Sequence, residues 1–451
     1  MKMKFSLINN KALVMLLFIV YLSTNTFAQP KTFSETAVLQ NAKNLDATMV
    51  DNFREGYAII RKGEAFAIID KTGNFLVPYG KYKFNKPRGF EIDRDRCGFY
   101  QGMCVVRDVD SEQYGYINNK GILVIPCTLN DAEPFKADGF AYGKHKNAQG
   151  QDERVYIDRA GIKYRIKDQS LYERNQNDAY PLSANGYLEY YNKKGKLLFK
   201  TKRHRNGVFS EGLIVVDTTY ELAGGKAGYM DLAGKLAIPY KFKGSLAGFS
   251  DGLARYEPPT SDEFKYIYIN KQGEQVIKLR DTEKFKNIFF GNSYFSGGYA
   301  LGTNSYGRPI LLSKSGEMNF FDEMIVANNP EFTKNFTKFT VNTFGLERHG
   351  DFVWFEASME YEVMEDFITG GIGGGQKISK KTTKTMRGSG VADLNGKMVI
   401  PPIYNNVGGY DPVSGLAKVF YYIARDGNST EVSGYANKDS QVVMIYSRKN
   451  L

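Results

Sequence analysis

Histidine, cysteine and tryptophan are scarce in this chain, with three, three and one among 451 residues. His145, His204 and His349 show neither HExxH nor i, i+4 spacing, so the sequence offers no histidine-based metal or catalytic centre. Cys97, Cys104 and Cys127 contain no CxxC pair, which removes a zinc ribbon. A Ca²⁺ loop of the form D-x-D/N-x-D/N-G is missing as well, because Asp93-x-Asp95 and Asp108-x-Asp110 lack the remaining ligands. No metal or cofactor is therefore expected. Excess charge of one sign is also modest. The formal net charge is +11, and without the first 28 residues, which hold three lysines and no acid, it is +8. That falls short of the basic footprint of a nucleic-acid binder.

Long hydrophobic runs are missing too. The longest, Ala12 to Leu22, is preceded by Lys2, Lys4 and Lys11 and followed by Thr26-Phe27-Ala28. It is too short to span a bilayer, which takes ~20 apolar residues, and it has the layout of a secretory signal cleaved near Ala28. The expectation is a periplasmic or extracellular chain with no transmembrane segment after cleavage. Residues 29–48 would be a lead-in and 49–451 a repeat array. In an oxidising compartment a Cys97–Cys104 disulfide and three buried thiols are both open readings.

What the chain has in abundance is a polar turn, Asp/Asn/Ser-x-x-Gly, set between apolar stretches. The turns begin at Asp70, Asn118, Asp158, Asn192, Asp231, Asn270, Ser313 and Asp393, with a degenerate one from Asn437 to Ser440. Successive spacings are 48, 40, 34, 39, 39, 43, 80 and 44 residues, a period near forty with one unit expected to be concealed in the interval of 80. A side-chain acceptor at the first position and glycine at the fourth suit a hairpin joint with a bulge. Before the turns stand β-prone runs such as Tyr114-Gly115-Tyr116-Ile117 and Tyr266-Ile267-Tyr268-Ile269. After them come runs such as Ile122-Leu123-Val124-Ile125-Pro126 and Leu236-Ala237-Ile238-Pro239, where proline should end the ladder. A third element lies upstream: Phe53-Arg54-Glu55-Gly56, Phe135-Lys136-Ala137-Asp138-Gly139, Phe209-Ser210-Glu211-Gly212 and Phe249-Ser250-Asp251-Gly252. The fold class is thus all-β: antiparallel meander repeats of about forty residues, eight or nine in number, arranged as a propeller-like or open superhelical array.

The order Phe-x-Glu/Asp-Gly-Leu-Ala, then Tyr-Gly-Tyr-Ile-Asp/Asn-x-x-Gly and an aliphatic run ending in proline, resembles the WG-repeat proteins of bacteria over about residues 49–447. The position of the family's Trp-Gly pair reads Tyr114-Gly115, Ala227-Gly228 and Ser433-Gly434, so glycine persists where tryptophan does not. The resemblance implies a β-rich repeat scaffold and says little about ligand.

Two motif matches fail on context. Gly248-Phe249-Ser250-Asp251-Gly252 fits G-x-S-x-G, but it is a repeat element and Ser250 reads as a turn serine. The run Gly370 to Gly375 is separated from Lys377 by Gln376, which breaks a phosphate-binding loop. Its flanks explain it better. From Val353 to Val363 apolar residues alternate with Trp354, Glu356, Ser358, Glu360 and Glu362, while Lys377, Lys380, Lys381, Lys384 and Arg387 follow the glycines. This is a glycine-tipped hairpin over about 352–390, with an acidic strand facing a basic one.

As the one insertion in the rhythm, the hairpin is the candidate contact surface: Trp354, Glu356, Glu360, Lys377, Lys381, Lys384 and Arg387. The leading functional expectation is a secreted or periplasmic non-enzymatic scaffold that binds an envelope protein or a glycan. A glycan-active hydrolase with two carboxylates on neighbouring loops and a purely structural spacer are the alternatives.

Overall fold

The computed structural model describes residues 41–84, 98–167, 169, 178–201, 208–218, 225–259, 264–290, 294–369, 376–425, 428–439 and 441–450. The signal-like segment, Cys97, His204 and the Gly370–Gly375 tip lie outside the described residues. Strands at 49–77, 99–129, 131–165, 180–201, 213–243, 245–279, 299–320, 338–404 and 406–450 form nine sheets, here blades 1 to 9. All pair antiparallel in sequence order; the exception is Lys43–Asn44, which adds to the last strand of blade 9 in parallel.

The Asp/Asn/Ser-x-x-Gly turns close the last hairpin of each blade. At Asp70 the Oδ1 atom accepts the N–H groups of Thr72 at 2.8 Å and Asn74 at 3.0 Å. The same pair of bonds recurs at Asn192, Asp231 and Asp393. Nine turns serve nine blades, so the interval of 80 residues conceals no further unit. It is filled by two short helices, α1 (Phe321–Asn328) and α2 (Pro330–Thr333), and by the long strands of blade 8. In α1, Asp322 and Glu323 occupy the first turn, where the helix dipole favours acids, and Phe321 and Ile325 bury one face.

In blades 1, 5 and 6 the Phe-x-Glu/Asp-Gly element is a two-residue turn rather than a strand of its own. Glu211 and Gly212 have φ of 52° and 79°, and Glu55, Asp251 and the glycines after them do likewise. Two successive positive φ values match a primed hairpin turn, whose twist suits the flanking strands.

The recurring glycine of the Trp-Gly position has a separate cause. A Cβ on Gly115 would lie 2.5 Å from Ile125 O, and one on Gly390 would lie 2.8 Å from Ile400 O. At both places the pairing with the outer strand slips by a bulge, which brings the outer backbone onto the glycine. Only a residue without Cβ fits. The expectation that proline ends the ladder holds at Pro78, just past strand Phe75–Val77, but the same bulges overturn it at Pro126, Pro239 and Pro401, which sit inside strands Leu123–Leu129, Leu236–Lys243 and Met398–Tyr404. Proline is tolerated there because the bulge on an edge strand asks for no ladder N–H.

The buried core is distributed between blades. Among the described residues nine apolar clusters fall at the nine junctions between neighbouring blades. The cluster of Leu45, Val50, Phe53 and Ile69 with Leu416, Tyr435 and Met444 joins blade 1 to blade 9. The array is therefore a closed nine-bladed propeller, and the open superhelix is not adopted. A tyrosine two residues before the turn meets the motif phenylalanine of the next blade at five junctions. These pairs are Tyr116–Phe135, Tyr190–Phe209, Tyr229–Phe249, Tyr268–Phe295 and Tyr435–Phe53, with ring centroids 4.7 to 5.4 Å apart. Such pairs contribute roughly 0.5–1.5 kcal/mol beyond the area they bury.

Candidate functional site

Carboxylates at the motif turns recur around one end of the ring, where a hydrolase could in principle place its acid and base. Their partners are backbone groups of the next blade. Glu55 accepts the N–H groups of Gln101 at 2.6 Å and Gly102 at 2.8 Å. Asp178 accepts Gly212 N–H at 3.0 Å, Glu211 accepts Gly252 N–H at 3.1 Å, and Asp251 accepts Gly298 N–H at 2.6 Å. Asp411 of blade 9, only 5 % exposed, accepts Glu55 N–H at 3.1 Å and Gly56 N–H at 2.9 Å, which closes the ring. Lysines at the second position of the following polar turn add ion pairs: Lys193 to Asp138, Lys271 to Glu211 and Lys314 to Asp251. Burial raises the carboxyl pKa of Asp251, yet the Gly298 N–H and Lys314 outweigh it and hold the group below its usual range. These acids clasp neighbouring blades, a role that one unit read alone does not reveal.

The motif serines work in the same layer. Ser210 Oγ donates to Phe249 O, and Ser250 Oγ donates to Phe295 O at 2.6 Å. Ser250 is thus a linking turn serine. His145 lies 3.3 Å from Glu153, and among the described residues no group of three His, Cys, Asp or Glu side chains is gathered that could hold a metal ion. Cys104 is buried, while Cys127 is half-buried with its thiol pKa raised by burial.

The departure from this regularity is in blade 8. Strands Phe352–Thr369 and Gln376–Asp393 pair residue for residue, each 18 residues long against six in the matching strands of blade 1. The third strand, Lys338–His349, runs beside them only as far as Glu360. Residues 361–369 and 376–384 therefore form a two-stranded ribbon, roughly 30 Å long at about 3.3 Å per residue. It springs from the end of the ring opposite the Asp/Asn-x-x-Gly turns. Blade 9 lengthens its equivalent hairpin too, with strands Leu416–Arg425 and Asn428–Asn437.

Directly opposed residues share a face. Trp354, Glu356 and Glu360 lie with Lys381 and Arg387, whereas Lys384 falls on the other face, opposite Tyr361. Trp354 is half-buried, packs with the cluster joining blades 8 and 9, and donates from Nε1 to Gly408 O at 2.7 Å. Glu360 pairs with Lys338 at 3.4 Å; Glu356, Lys381, Lys384 and Arg387 are exposed. The side chain of Lys377 lies outside the described residues. Glu362 and Glu365 stood outside the expected contact set, yet they hold the ribbon together by ion pairs of 2.5 Å to Lys381 and Lys384. Lys384 keeps the Glu365 carboxyl below its usual range, and Glu365 raises Lys384. Their signal in the sequence was diagonal charge complementarity across the glycine tip. Met364 and Ile378 also stand exposed on the ribbon.

Three stretches, residues 114–142, 228–257 and 390–420, match the family model described as WG containing repeat. The chain carries WG containing repeats. The matched stretches take in Gly115, Gly228 and Gly390, the bulge glycines, so the WG repeat includes the joint between a blade's inner hairpin and its outer strand. No curated protein matches the chain. Similar solved structures include BamB from Moraxella catarrhalis, at 10% identity over 70% of this chain and 96% of that one, with a TM-score of 0.28. TolB from Acinetobacter baumannii is 12% identical over 63% of this chain and 65% of that one, with a TM-score of 0.18. An exo-1,5-alpha-L-arabinanase from a bovine ruminal metagenomic library is 10% identical over 72% of this chain and 93% of that one, with a TM-score of 0.13. Likeness at these scores does not bear on ligand or activity. Among the described residues no helix is long and apolar enough to cross a membrane.

Proposed function

We propose that this WG-repeat propeller is a secreted or periplasmic, non-enzymatic scaffold that holds a partner, an envelope protein or a glycan, on the arm of blade 8. The observation that carries the reading is the division of polar groups. The motif carboxylates of blades 1, 4, 5, 6 and 9 are engaged by backbone N–H groups of the next blade, while the arm presents Lys380, Lys381 and Lys384 exposed on a ribbon that adds nothing to the ring's core. Carboxylates so engaged are poor candidates for the paired acid and base of a glycosidase, which need to face a substrate.

The test is capture from an envelope extract and on a glycan array. The intact chain is compared with an arm-trimmed variant in which residues 361–384 are replaced by a two-residue Asn-Gly turn. Capture by the intact chain and its loss in the trimmed, still-folded variant is the expected result. Equal capture by both moves the site to the ring, and hydrolysis of any arrayed glycan returns the enzyme reading.

A further inference from the structure

We infer that the basic strand of the arm, Gln376–Asp393, is an edge built for strand addition and takes an extended, acidic segment of a protein partner. The inference rests on the arm being the contact surface and names the chemistry of what it contacts. Strand Met398–Tyr404 pairs with the basic strand only from Ser389 onward, so no described strand runs along the outer side of residues 382–387. The phase of the backbone follows from Glu360. Its carbonyl accepts the Thr337 N–H at 2.8 Å, on the side away from the basic strand. Residues of even number in the acidic strand therefore point their N–H and C=O groups outward, and those of odd number point them inward. By the register, Lys384 and Thr382 bond inward, while Thr383 and Thr385 direct theirs to the open edge.

An edge of this kind offers main-chain hydrogen bonds to any extended peptide, and side chains select which one. Lys381 and Arg387 stand on one face of the edge and Lys380 and Lys384 on the other, so acidic side chains are matched on both faces of an added strand. The threonines between them favour the extended conformation. A second copy of this chain does not suit the edge. Two arms side by side with tips in the same direction would set two whole rings about 10 Å apart, at ~4.8 Å per strand. With tips opposed about a two-fold axis, the relation that closes a dimer, basic strand meets basic strand, or acidic meets acidic, and like charges face each other.

The probe is a synthetic twelve-residue peptide of repeated Glu-Glu-Val-Val, which sets Glu on both faces of an extended strand, with a Lys-Lys-Val-Val peptide as control, added to the full chain. Fluorescence anisotropy and amide hydrogen exchange are the readouts. The expected result is binding of the Glu peptide alone, with slowed exchange at the Thr383 and Thr385 amides. Thr383→Pro removes one outward N–H and no inward one, and weakens binding roughly tenfold. Lys380→Glu with Arg387→Glu weakens it by a similar factor and transfers preference to the Lys peptide. Should the Lys384 amide lose protection in the proline variant, the charge variant decides alone. Equal binding of both peptides, unchanged exchange at Thr383 and Thr385, or unchanged affinity in the charge variant overturns strand addition. Capture that depends on the arm, without Glu-peptide binding, overturns strand addition and leaves the scaffold standing. Capture that ignores the arm overturns the scaffold, whatever the peptide does.

Discussion

Blades 5 to 7 and blades 7 to 9 solve the same joining problem with opposite chemistry. From blade 5 to blade 7 each junction is a carboxylate accepting the next blade's N–H, reinforced by a lysine: Glu211 with Gly252 and Lys271, then Asp251 with Gly298 and Lys314. Blade 7 has Gly297 where blades 5 and 6 carry Glu211 and Asp251, and the polarity reverses. Arg348 of blade 8 donates back to Tyr299 O at 2.7 Å and to Ser296 O, and Trp354 donates onward to Gly408 O. The apolar layer is present at all of these junctions, whereas the polar link changes type. Packing between blades therefore defines the ring, and the polar link is interchangeable wherever it satisfies the same exposed backbone groups. The chain's sole tryptophan belongs to this linking layer.

The largest effect is expected from the bulge glycines, since no relaxation of a flexible side chain can accommodate a Cβ facing backbone. Gly228→Val in blade 5 should cost about 4 kcal/mol by denaturant titration, and Gly390→Val in blade 8 a comparable amount, because the bulge is common to both regions. A cost confined to blade 5 would separate the two regions at the level of the strand itself. Asp411→Ala comes next. It leaves the N–H groups of Glu55, Gly56 and Ser414 without their acceptor and should cost about 3 kcal/mol. Asp251→Ala, at a more exposed site, should cost about 1–2 kcal/mol.

The sequence displayed the period, the turn chemistry and the alternation of the arm because each is local: an Asx side chain, a glycine and a period of two read out within a few residues. Closure was not legible, because the contacts that decide it join Asp51, Glu55 and Gly56 to Tyr435 and Asp411, some 350 to 380 residues away. The 80-residue interval misleads because length alone does not distinguish a repeat from the helices and longer strands that occupy it. Prolines 126 and 239 misled because the bulge that admits them is set by a glycine on another strand. In the arm, the charges of Lys381 and Lys384 were visible but their partners were not, since the diagonal offset depends on register.

Smaller effects sharpen the contrast. Tyr229→Phe removes the hydroxyl that donates to Ala247 O at 2.6 Å and should lower stability by about 1 kcal/mol, read as a shift in thermal midpoint. Acid should loosen the Asp251 junction before the Arg348 one. The Asp251 pKa is depressed in the folded chain, so its contribution is present above the ordinary value of 3.8 and is lost as pH falls through the lower folded value. Asp251→Asn should flatten that part of the stability profile below about pH 4, measured by thermal melts across pH.

The most direct test is a paired measurement of melting and partner capture on two variants, Asp411→Ala and the chain trimmed of residues 361–384. The account predicts a lower midpoint with capture retained below it for Asp411→Ala, and an unchanged midpoint with capture abolished for the trimmed arm. An unchanged midpoint in the first, or undiminished capture in the second, would contradict it.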